Sequence, residues 1–75
     1  MTLKEALLAI YFTERVEIFD HEDIIIATGR CEDVAQHVEQ YKNTKVLMIE
    51  TGIENSYGDL HAVIFITLDK KEGEE

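Results

Sequence analysis

Leu3, Ala6, Leu7, Ile10 and Tyr11 fall at i, i+3, i+4, i+7 and i+8, so the chain opens on an amphipathic helix. Leu8 and Phe12 widen that stripe. Thr2 and Glu5 have the spacing of a capping box, in which each side chain accepts from a free backbone N–H of the other. The spacing predicts a helix over 1–12, ending at Tyr11 or Phe12. Arg15-Val16-Glu17-Ile18-Phe19 then alternates as a strand does. A polar tetrad, Asp20-His21-Glu22-Asp23, separates it from the β-branched run 24–28, and the pair reads as a hairpin closed by Gly29.

A second helical pattern follows. Glu32 and Asp33 place acid in its first turn, where it complements the helix dipole. Val34, Val38 and Tyr41 line one face with Ala35 beside them. Lys42 suits the last turn, and Asn43 suits a left-handed stop. Strands are predicted at 45–51 and 60–67, joined by a loop over 52–59 rich in Gly, Asn, Ser and Asp. The segment 69–75 has lost its apolar residues and reads as a frayed acidic tail.

The order αββαββ implies one α+β domain over 1–68: a four-stranded, largely antiparallel sheet with two helices on one face. Its strands carry more apolar residues than one covered face needs. Leu60, Ala62, Ile64 and Ile66 point opposite to Val63 and Phe65, while Leu47 and Ile49 point opposite to Val46 and Met48. An uncovered face around Leu47, Ile49, Val63 and Phe65, or else the opposite face of the same strands, is therefore expected to bind a second copy or a partner. The alternative is a sheet that curls until loops and tail cover the surplus.

Length and charge narrow the possibilities. Seventy-five residues make one small domain with a thin core. Sixteen acidic residues against seven basic ones give a net charge of −9, which disfavours direct contact with nucleic acid or an anionic membrane. No apolar run approaches the roughly 20 residues of a membrane span. The single cysteine, Cys31, and a start without a signal-peptide pattern point to a reducing cytoplasm.

No chemical constellation emerges. His21 lies among carboxylates in a turn, His37 among helix-surface polars, and His61 in a strand. None has the partner spacing of a metal site. Cys31 begins the second helix, but Glu32 and Asp33 oppose a thiolate there. Thr28-Gly29-Arg30 lacks the glycine spacing of a phosphate loop. The expectation is a protein without enzymatic activity, cofactor or metal.

Acid is concentrated between 14 and 33. Glu14, Glu17, Asp20, Glu22, Asp23, Glu32 and Asp33 stand against Arg15 and Arg30, a net of −5. Such a surface either keeps a small domain soluble or complements a basic groove. For the second role the candidate partner-binding residues are Glu17, Asp20, Glu22, Asp23, Glu32 and Asp33.

The short N-terminal helix 2–7, the strand Val16-Glu17-Ile18-Phe19-Asp20, the apolar strand ending in Thr28-Gly29, the acidic opening Glu32-Asp33-Val34 and the final hairpin within 46–67 resemble a loose group of small acidic proteins. Phages and conjugative elements of Gram-positive bacteria encode them. Some small acidic phage proteins inhibit host defence enzymes, including CRISPR effectors and restriction systems. The resemblance implies a cytoplasmic inhibitor that binds a host CRISPR nuclease or another nucleic-acid enzyme; the homodimer is expected from the surplus apolar face. A structural or accessory dimerisation domain, acidic only for solubility, is the competing expectation.

Overall fold

The computed structural model describes residues 1–70. Its elements are α1 (Leu3–Leu8), β1 (Arg15–Phe19), β2 (Ile25–Arg30), α2 (Cys31–His37), a 3-10 turn (Glu39–Tyr41), β3 (Val46–Ser56) and β4 (Asp59–Leu68). The capping box forms as expected: Thr2 N–H donates to Glu5 Oε1 at 2.8 Å, and Glu5 N–H donates to Thr2 Oγ1 at 3.3 Å. Yet α1 stops at Leu8 and not at Tyr11 or Phe12. The N-cap residue of α2, Arg30, supplies no side-chain cap. The carbonyls of Glu14 and Phe12 instead accept from the first amides of α2, Cys31 at 2.8 Å and Glu32 at 3.0 Å. After Leu8 the chain tightens, with Ala9 and Ile10 N–H donating to the Ala6 and Leu7 carbonyls three residues back at 3.2 Å, and leaves the helical path.

The second helix breaks at Val38 and resumes as the 3-10 turn. Its apolar stripe survives the break, since Val34, Val38 and Tyr41 are all buried. Among the described residues, positive φ outside glycine occurs at Asp23 and Tyr57 and not at Asn43, so the expected left-handed stop is absent. The predicted loop over 52–59 is also corrected. β3 runs through it to Ser56, and only Tyr57 and Gly58, both at positive φ, make the turn to β4. Two such residues give the mirror-image turn whose twist suits a tight hairpin.

The sheet order is β2-β1-β4-β3. Both hairpins are antiparallel, but β1 and β4 run parallel at the centre, with Val16 opposite Ile64 and Ile18 opposite Ile66. The sheet is therefore mixed. After β2, α2 carries the chain back over the sheet to its far edge, and β4 then returns into the middle. A central position suits β4, whose continuous apolar run Ala62–Ile66 fits a strand flanked on both sides.

Both helices pack on one face. Leu3, Ala6, Cys31, Val34, Val38 and Tyr41 meet Val16, Ile18, Ile66 and Leu68 in a single core. Each large aliphatic side chain buried there contributes roughly 1.5–3 kcal/mol. Beyond Leu68 the chain stays attached: Asp69 N–H donates to Lys45 at 2.9 Å, and the Lys70 carbonyl accepts from His21 at 3.2 Å. The rest of the predicted tail, 71–75, lies outside the described residues.

Candidate protein-interaction site

Strand register decides what the uncovered face presents, because residues opposite one another share a face. Phe65 on β4 lies between Glu17 on β1 and Glu50 on β3. Phe19 and Phe65 stand with ring centroids 6.2 Å apart and planes tilted by 48°. Thr67 and Met48 continue the face beside them. Together Phe19, Asp23, Met48, Glu50, Phe65 and Thr67 line a shallow hollow of about 200 Å³. At the other end Arg15 and Glu54 approach to 4.0 Å, an exposed pair that contributes little to stability.

Gly52 explains where the Phe65 ring lies. A Cβ on Gly52 would stand 2.6 Å from Phe65 Cε2. The ring thus covers the glycine backbone, and this close approach needs a residue without a side chain.

The expected association face is only partly assembled. Phe65 is on the uncovered face and half-buried; Val63 shares that face but is fully buried. Ile49 lies opposite Ile66, on the helix side of the sheet. Leu47 falls in the register shift between Val46 and Met48, where the strict alternation read from the sequence breaks. The residues the sequence reading missed are Phe19, Met48 and Glu50. Apolar counting alone could not find a carboxylate opposite Phe65; pairing β4 between β1 and β3 was needed.

The acidic set is divided as well. Asp20 is fully buried, and its Oδ1 accepts from Glu22 N–H at 2.8 Å and Ile24 N–H at 3.0 Å. It closes the first hairpin and presents no surface charge to a partner, contrary to its expected role. Glu22 and Asp23 occupy the exposed turn, with Asp23 reaching the hollow. Glu32 and Asp33 begin α2, at the other end of the same hairpin. Four register steps of a strand separate these ends, about 13 Å. Glu17 alone of the six lies on the uncovered face between them, half-buried.

No chemical site is gathered around the remaining candidates. Cys31 is buried, its Sγ 3.6 Å from the Leu7 carbonyl, and burial first, then the Glu32 charge, push the thiol upward. His21 Nε2 sits 3.6 Å from a Glu22 oxygen; His37 ends α2, and His61 lies opposite Glu54. Among the described residues no group of three or more His, Cys, Asp or Glu is placed to hold a metal ion. No helix there is long and apolar enough to cross a membrane. A second shallow groove, about 230 Å³, runs between α1 and α2 along Leu7, Leu8, Ala35 and Val38, with Lys4, Lys42 and Glu39 at its rim. No protein-family model matches the chain, and no curated protein or solved structure matches it either.

Proposed function

We propose that this chain is a non-enzymatic binding protein of a phage or mobile element that docks its uncovered sheet face on a basic surface of a host nucleic-acid-handling protein, a CRISPR nuclease being the leading candidate. The observation that carries the reading is the register Glu17–Phe65–Glu50, an aromatic ring with a carboxylate on each side. An arginine or lysine of the partner meets a ring face there while its charge is paired twice. Surfaces that hold nucleic acid are rich in such side chains. Occupying one denies it to phosphate, and the net charge of −9 speeds the encounter.

Affinity capture from a bacterial lysate at low salt, followed by a high-salt wash, tests this. A nucleic-acid-handling protein is expected on the native chain and absent from Glu17→Lys with Glu50→Lys. Equal capture by both chains would sink the reading. The accessory-domain alternative keeps one specific observation in its favour, the exposed edge of β3.

A further inference from the structure

β3 is an edge strand eleven residues long. Among the described residues its outer side is occupied only at the start, where Val46 N–H donates to the Met1 carbonyl at 2.9 Å and Thr2 bridges Lys45. From Met48 onward no described segment pairs with that side. Edges of this length are normally blunted by lysine, proline or a covering loop. Between Met48 and Ser56 there is no lysine and no proline, and the one register shift lies before Met48. The hairpin also projects past the helix layer, which leaves Ile49 43% and Ile53 74% exposed on the helix side.

We propose that β3 of one copy pairs antiparallel with β3 of a second copy, about a two-fold axis passing through Thr51. An antiparallel ladder sets outward-facing backbone opposite outward-facing backbone, so the two-fold axis must pass through a residue that opposes itself. A centre at Glu50 opposes that carboxylate to its own copy. A centre at Gly52 sets each Glu50 against Glu54 of the second copy, again like charge on like. A centre at Ile49 opposes Thr51 to Leu47 in the register shift, which leaves regular ladder only over 48–50. A centre at Ile53 leaves Ile49 beside the turn.

At Thr51 the ladder runs from Met48 to Glu54 without these conflicts and stops before Val46, whose outer side Met1 holds. Each Ile49 opposes an Ile53, Glu50 opposes Gly52, and Met48 opposes Glu54. Since Ile49 neighbours Ile66 and Ile53 neighbours Ala62 within each chain, two apolar rows cross the junction. The sheet becomes eight-stranded with all helices on one side. Both Phe65 faces stay open on the other, so this pairing does not depend on the blocking function.

Sedimentation equilibrium, cysteine cross-linking and one edge variant test it together. The native chain is expected to dimerise, more tightly at high salt because two acidic chains repel. Thr51→Cys places two thiols at a self-opposed position, where the Cα separation of about 4.5–5.5 Å permits a disulfide. It should cross-link readily under mild oxidation. Asn55→Cys, whose copies lie roughly eight residue steps or 27 Å apart, should not. Ile53→Lys, exposed in the single chain, should weaken association on the order of tenfold or more with an unchanged circular dichroism spectrum. A monomer at all concentrations overturns the proposal. So does equal cross-linking through Asn55→Cys, or a dimer indifferent to Ile53→Lys.

Discussion

Two residues carry structural duties that their chemistry alone does not announce. Asp20 reads from sequence as one acid among many, but its carboxylate holds the first hairpin turn by accepting two backbone amides. Asp20→Ala removes the acceptor from those two part-buried amides and should cost about 1–3 kcal/mol, whereas Asp20→Asn retains an acceptor oxygen and should cost roughly half as much. Urea midpoints check both, with the denaturant slope unchanged. Gly52 reads as a loop former and proves to be the floor beneath Phe65. Gly52→Ala should cost about 1–3 kcal/mol by displacing the ring. Combined with Phe65→Leu it should cost less than the sum of the two single changes, because the clash is then gone. The turn residue Gly58 differs: its φ is 81°, yet nothing lies within 4 Å of a Cβ there, so its constraint is backbone conformation alone.

Elements were legible in the sequence where periodicity was strong and local. The helix stripes, the first hairpin and the last two strands all appear near their expected positions. What escaped depends on distant partners. Past the early end of α1, the carbonyls of Phe12 and Glu14 accept from amides more than fifteen residues away, a pairing no local pattern announces. The parallel β1–β4 pair and the strand order follow from the path of α2, which no local pattern encodes. The candidate site was half legible for the same reason: Phe65 and Glu17 were named, but their apposition with Glu50 arises only from register. The capping box also has a pH signature. Thr2 backbone and hydroxyl donors hold the Glu5 carboxyl below the ordinary glutamate range. A carboxyl lowered in the folded state adds stability above its unfolded pKa and loses it as pH falls through the folded one. A carbon-detected NMR titration should therefore place the Glu5 midpoint below that of an unfolded peptide, and Thr2→Ala, which removes the hydroxyl donor but keeps the backbone one, should raise it only part of the way.

At the scale of the whole molecule, the hairpin arm gives extents of 38 × 23 × 18 Å and separates two surfaces. One is the open face, flanked by carboxylates and proposed to meet a basic partner; the other is the β3 edge, proposed to pair with its own copy. Salt should move them in opposite directions, weakening the first and strengthening the second. Pairing at Thr51 would set two open faces on one side of a continuous sheet, offering a partner two Phe65 sites at once. The most direct test of the docking reading is displacement of a fluorescent oligonucleotide from the captured host protein as the chain is titrated in. Release of the oligonucleotide is expected with the native chain, requiring on the order of ten times more of Glu17→Lys with Glu50→Lys. An oligonucleotide that stays bound while the chain binds beside it would contradict the docking of this face in the nucleic-acid groove.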